Sequence, residues 1–235
     1  MMLSVLLMQS AAGQYAASGA ESLARWRAGD VVSASDIATF GIDRCFGHEP
    51  IDSLVFGRIY GRSYKADCTV PISDLRYVRA LHVDADKRIM IGEMICHKSI
   101  SDDVVAILKT LFEHGYPIER MVLIDEYDAD DERSMQANNS SSFNFRYISG
   151  TSKLSRHSEG LAVDINPRYN PYVRQRNGVT VVEPSCAAPY ADRSGSYPYK
   201  IVPGDLCHKQ FVGCGFIWGG DWQSVKDYQH FEKRR

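Results

Sequence analysis

His157 and Asp164 stand seven positions apart in Ser155-Arg156-His157-Ser158-Glu159-Gly160-Leu161-Ala162-Val163-Asp164, and Asp227 stands three positions before His230 in Asp227-Tyr228-Gln229-His230-Phe231-Glu232. Two imidazoles and a carboxylate are the donor types of a three-ligand zinc site with its fourth position open to water, as in catalytic rather than closed structural sites. Seven residues of straight strand span about 23 Å, so His157 and Asp164 meet on one ion only if the chain doubles back. Gly160 offers the place. Beyond it, Leu161, Val163 and Ile165 share one face of a strand while Ala162 and Asp164 share the other. A carboxylate in apolar company is costly without a compensating partner. A metal meets that need, and so does an arginine or a turn to cap.

Other candidates have ordinary explanations. His114 ends a predicted helix, where the dipole favours a cation, and His82 and His97 lie in or beside predicted strands. His208 likewise carries no ligand pattern. His48-Glu49-Pro50 opens like a zinc-protease helix, yet it lacks the second histidine and contains a helix-breaking proline. No lysine has a serine three residues before it, which excludes a Ser-x-x-Lys peptidase.

Three separated motifs, in order, carry a family resemblance: Ser-x-His-x-x-Gly-x-Ala-x-Asp at Ser155–Asp164, Trp-Gly-Gly-Asp-Trp at Trp218–Trp222, and Asp-x-x-His-Phe-Glu at Asp227–Glu232. Together with Asn-Asn-Ser-Ser-Ser-Phe-Asn-Phe-Arg at Asn138–Arg146, the stretch resembles the zinc D-alanyl-D-alanine carboxypeptidase / L-alanoyl-D-glutamate peptidase family. The resemblance implies one Zn2+ per chain held by His157, Asp164 and His230, with Asp227 as general base and Arg146 stabilising the oxyanion. It implies a peptidoglycan stem peptide as substrate; the leader-like N-terminus is what points to an exported, periplasmic or extracellular protein. Its fold would be the small α+β architecture shared with the hedgehog signalling domain, an antiparallel sheet flanked by helices. Both D-Ala-D-Ala carboxypeptidase and L-Ala-D-Glu endopeptidase activities fit the same catalytic set. A non-catalytic module binding wall peptide or zinc is the alternative on the same fold, although such a module has no need of a base. Ser155 is expected to contact substrate or to cap a turn. Trp218 and Trp222 are expected to line the cleft, or at least one of them to pack in the core.

Two arguments collide over the base. Residues two apart on a strand share a face, which nominates Glu232 beside His230. The family pattern nominates Asp227, which requires a bend between it and His230. The Gly219-Gly220 turn and the polar approach to Asp227 favour the second reading and leave Glu232 to orient a ligand histidine.

These groups must be positioned by a mixture of elements. Arg76–Val83 and Lys87–Cys96 read as a hairpin around Asp84-Ala85-Asp86. Ser101 reads as an N-cap before a helix with Val104, Ile107, Leu108, Leu111 and Phe112 on one side. Met121–Ile124 reads as a buried strand, and the polar stretch Asp128–Ser152 as a loop. Leu161–Ile165 and Phe216–Trp218 read as strands, and Leu206–Val212 as a short helix. Without regular βαβ alternation, the class is α+β. With 235 residues, 44% hydrophobic, residues 20–235 make one domain, its catalytic motifs within 138–232.

Composition narrows the partners. Lys and Arg number 27 against 29 Asp and Glu, with no basic stripe, which disfavours nucleic acid. No apolar run approaches the ~20 residues of a membrane span. The apolar Met2–Met8 and the small residues after it resemble an export leader over residues 1–19, although the first basic residue is Arg25; an N-terminal helix packed on the domain is the other reading. The 6 cysteines are an even number without a C-x-x-C pair, compatible with disulfides or with buried free thiols.

Overall fold

The computed structural model describes residues 18–148 and 151–234, so the leader-like run Met2–Met8 lies outside the described residues. Four strands, β1 (Val31–Val32), β2 (Gly47–Pro50), β3 (Leu75–Val83) and β4 (Ile89–His97), form a sheet in the order β1-β4-β3-β2. β3 and β4 are the predicted hairpin, paired from Leu75 with His97 to Val83 with Ile89.

Period-two alternation gives this sheet two apolar faces. Tyr77, Leu81, Ile91 and Ile95 pack with Leu23 of α1 (Gly19–Arg25), Ile37 of α2 (Ala34–Phe40) and Ile59 of α3 (Ser53–Ile59). Val78, Ala80, Met94 and Cys96 face α4 (Ser101–Glu113), which buries Val104, Ile107, Leu108 and Leu111 at helical spacing. Ser101 stands at the first helical position rather than at the cap. Ile100 takes the cap, and the Ser101 hydroxyl donates to Lys98 O at 3.1 Å.

The second core continues into the region that carries the motifs. After α5 (Asp131–Gln136) come β5 (Ala162–Asp164), the hairpin β6 (Tyr172–Arg176) and β7 (Val179–Glu183), and α6 (Leu206–Gly213). β8 (Ile217–Trp218), β9 (Val225–Asp227) and β10 (His230–Glu232) complete the chain. They make two further sheets, β5-β10-β8 and β7-β6-β9, and every pairing between named strands is antiparallel. The class is α+β. Leu161, Val163, Ile165, Phe211, Phe216, Trp218 and Phe231 pack against the α4 side of the large sheet.

Several expectations need correction. Met121–Ile124 is buried but is not a strand. Val122 lacks a strand neighbour because the Asn139 amide takes that place: Oδ1 accepts from Val122 N at 2.9 Å and Nδ2 donates to Val122 O at 3.0 Å. The stretch Asp128–Ser152, expected as a polar loop, is partly helical and partly interior over its described residues. It contains α5, and Asn138, Asn139, Ser140, Ser142 and Asn144 are all buried. The hairpin β6–β7 and helices α1 to α3 carried no periodicity long enough to announce them. All 6 cysteines are free, with Cys45, Cys96 and Cys207 buried, which matches the free-thiol reading rather than the disulfide one. No helix among the described residues is long and apolar enough to cross a membrane.

Candidate metal centre

Register brings the first pair of donors together. β5 and β10 pair His230 with Asp164 and Phe231 with Val163. Directly opposite residues of an antiparallel pair share a face. Phe231 and Val163 therefore enter the core, while His230 and Asp164 stand side by side on the other surface. The third donor arrives on a tight turn. Arg156–Glu159 forms one turn of 3-10 helix, and Gly160 closes it in the left-handed region at φ 66°. A Cβ at Gly160 would meet His97 N at 2.7 Å, so glycine is required both by conformation and by its approach to β4. The chain thus doubles back where the spacing demands.

His157 Nε2 lies 3.2 Å from His230 Nδ1 and 3.2 Å from Asp164 Oδ2, and His230 Nδ1 lies 3.1 Å from Asp164 Oδ1. All three residues are buried. The outer nitrogen of each ring is already engaged: His157 Nδ1 donates to Ser142 O at 2.6 Å, and His230 Nε2 faces Glu232 Oε2 at 3.2 Å. Both outer partners are acceptors, which assigns the protons outward and leaves the inner lone pairs converging on one point. Ligands about 2.0–2.1 Å from a tetrahedral zinc sit about 3.3–3.4 Å from one another, close to the observed spacings. The residues fit a metal ion of that kind.

The electrostatics agree. Burial opposes the charge on Asp164, yet His157 and His230 hold its carboxyl well below the usual carboxylate range. Burial also opposes charge on His230, but hydrogen bonds to Asp164 and Glu232 raise it to about 10. This is a place that stabilises positive charge.

Asp227 stands apart from the three donors in behaviour. Tyr228 and Gln229 turn the chain between β9 and β10, so the alternation that would point Asp227 away from His230 does not apply. A Cβ on Gly219 would meet the Cβ of Asp227 at 2.8 Å and that of His230 at 3.3 Å, which places both side-chain roots on one glycine. Burial raises the Asp227 carboxyl to about 7; His230 pulls it down and the Asp164 charge pushes it up. Its Oδ1 is buried without a protein partner.

Arg146 is held beside the site by two devices. Its backbone N–H donates to the Ser158 hydroxyl at 2.9 Å and its carbonyl accepts from that hydroxyl at 2.6 Å. Its guanidinium pairs with Asp131 at 2.8 Å, leaving Nε buried and unpartnered. Asp131 is the residue that sequence reasoning missed. Burial raises its carboxyl while Arg146 and His157 lower it. Its one visible signal was the acidic cluster Asp130-Asp131-Glu132, where Asp130 caps α5 and puts Asp131 in the first turn.

Trp218 and Ser155 take the structural roles that were the alternatives to substrate contact. Trp218 is 2% exposed, packs with Phe231 and donates Nε1 to Tyr228 O at 2.9 Å, so it belongs to the core and not to the cleft. Trp222 is the tryptophan beside the site, its ring centre 5.3 Å from that of His230. Ser155 is buried, and its hydroxyl caps the His157 turn by accepting from His157 N at 3.3 Å. This is the turn-capping role expected of Ser155.

Residues 149–233 match the family model described as D-alanyl-D-alanine carboxypeptidase. The matched segment contains all three donors, Asp227 and Glu232, and it ends the resemblance short of Arg146. No curated protein and no solved structure matches the chain.

Proposed function

We propose that the chain is a zinc-dependent peptidase that hydrolyses peptidoglycan stem peptides, as a D-Ala-D-Ala carboxypeptidase or an L-Ala-D-Glu endopeptidase, on a hedgehog/DD-peptidase-like fold. The observation that carries the reading is geometric: the donor atoms of His157, Asp164 and His230 converge on one point, and the buried Asp227 carboxyl, with a bare oxygen and raised proton affinity, is rooted beside His230 on Gly219. Environments that push two titratable groups apart divide the roles of charge stabiliser and proton carrier. His157, Asp164 and His230 would hold the zinc, which when bound acidifies water and polarises a carbonyl.

The chain's own residues account for the remaining roles. Asp227 takes the proton of the attacking water and returns it to the leaving amine, for which a pKa near the working pH is suited. Arg146, clamped by Asp131, presents its free Nε edge to the oxygen that gains charge. Glu232 orients His230 through the outer ring nitrogen. A module that only held peptide would gain nothing from a buried carboxyl of raised proton affinity. The decisive experiment combines metal analysis with mass spectrometry of purified muropeptides before and after chelation. One zinc per chain and hydrolysis restored by zinc are expected. Full activity in protein whose metal content is near zero would overturn the reading.

A further inference from the structure

Beside Asp227, the hairpin β6–β7 lays a second cation against the site. Antiparallel register pairs Tyr172 of β6 with Asp227 of β9, and Arg174 with Val225. Directly opposite residues share a face, so Tyr172 and Arg174 stand on the face that carries the Asp227 carboxyl. That face looks towards the donors, because the Cβ atoms of Asp227 and His230 converge on Gly219. Lys226, one position along β9, belongs to the opposite face, and its ammonium is tied to Gly220 O at 3.0 Å.

The Arg174 side chain is only 20% exposed, and its guanidinium interacts with the Tyr172 hydroxyl and, at longer range, with Glu183. Nη2 reaches Glu183 Oε1 only at 4.0 Å, and Nε is buried without a protein partner. Its Cζ lies 5.8 Å from the centre of the ring of Tyr172, the residue directly opposite Asp227 in the ladder. The terminal Nη groups of a guanidinium match a carboxylate bidentately. Diagonal neighbours on paired strands lie about 7–8 Å apart, and one extended residue spans about 3.3–3.6 Å. The gap between Asp227 and Arg174 therefore suits one terminal residue with the arginine stem.

Building on the peptidase reading, we infer that Arg174, packed on Tyr172, is the specificity-determining residue that binds the free α-carboxylate of the substrate's last residue. Holding that carboxylate sets the final peptide bond against the metal centre. The bond that breaks is then the last C–N bond. Water supplies the hydroxyl that stays on the acyl carbon and the proton that leaves on the amine of a single amino acid. The activity is that of a carboxypeptidase.

The test uses the full zinc-loaded chain and two peptides ending in D-Ala-D-Ala, identical except that one carries a free carboxylate and the other a C-terminal amide. Wild type is expected to prefer the free acid. Arg174→Gln should raise KM for the acid about 10–100-fold, the worth of a hydrogen bond to a charged group, with little change in kcat and none on the amide. Arg174→Lys should recover part of the preference, and Arg176→Gln, which removes a charge from the exposed end of the same hairpin, should leave it intact. Equal losses on acid and amide, or equal cleavage of both by wild type, would overturn the inference. Calorimetric binding of the two peptides separates this inference from the peptidase reading. Acid-selective binding that Arg174→Gln abolishes, in a wild type that cuts neither peptide, keeps the subsite and removes the peptidase. Hydrolysis without acid-selective binding does the reverse.

Discussion

The hairpin β3–β4 and the segment 138–146 are both buried, and they are built in opposite ways. Along β3 and β4 the backbone groups satisfy one another across the ladder, so the buried side chains need only be apolar, with Glu93, paired to Arg58 and Tyr77, and His82, bound to Ile118 O, as the exceptions. Segment 138–146 has no regular ladder. Its backbone bonds go to scattered partners, a reciprocal pair with Asp164 and single bonds to Arg120, Ile95, His157 and Ser63 among them, and its side chains close remaining gaps, as when the Ser142 hydroxyl donates to Ala162 O at 2.7 Å. The carbonyl of that same Ser142 fixes the His157 ring. A regular sheet supplies stiffness, whereas an irregular wall supplies polar groups at chosen angles, and a metal centre needs both.

The largest expected effect isolates the polar wall from the fold. Asp227→Asn should keep one metal ion bound and the melting temperature nearly unchanged, while kcat falls by about 10²–10⁴-fold, the usual worth of a general base. A fully active variant would move the proton-carrying role elsewhere. Next in size, Leu108→Ala should cost about 2–5 kcal/mol of stability by opening a cavity under the sheet, leaving kcat intact in the folded fraction. Asn139→Ala should cost about 1–3 kcal/mol for each Val122 group left unpaired and should lower kcat as well. Chemical denaturation alongside kinetics checks both, and an Asn139→Ala variant with wild-type kcat would erase the contrast.

The regular half has one polar liability that pH reveals. His82 is buried on β3, donates Nδ1 to Ile118 O at 2.7 Å, and burial lowers its pKa to about 4. Unfolded histidine titrates near 6.5, so between pH about 6.5 and 4 the unfolded chain takes up a proton that the folded chain refuses. His82 therefore favours folding fully above pH about 6.5, and about 3 kcal/mol of that is lost as pH falls through 4. In urea melts across that window, His82→Gln should show a flatter pH dependence; an unchanged slope would assign the loss to other groups. The smallest effect is expected at Glu232→Gln, about 10–100-fold in metal affinity or activity, as for other groups that orient a ligand. A dead Glu232→Gln beside an active Asp227→Asn would exchange the two roles.

The same contrast explains what the sequence disclosed. Val78 and Tyr77, or Val104 and Leu108, announce their elements because burial repeats at the period of the backbone. His157, Gly160 and Asp164 were legible for a different reason: the distance between two donors of one ion forces a turn, and only certain residues make it. Asp131 and Asn139 were not legible. Each acts through a partner remote in sequence, Arg146 in one case and Val122 in the other, and no local spacing encodes such a contact. Trp218 misled because its motif adjoins the site while its ring turns into the core.

The amide of Asn139 has a consequence for how this chain can vary over generations. It accepts from one backbone group of Val122 and donates to the other. Aspartate lacks the donor, leucine lacks both functions, and glutamine carries the amide one methylene too far out. Positions such as Ile91 or Leu81 can drift among apolar residues of similar volume, with each change absorbed by its neighbours. Position 139 has no such neighbourhood of near-equivalents, so lineages descended from this chain would wander freely across the sheet while remaining pinned at one asparagine.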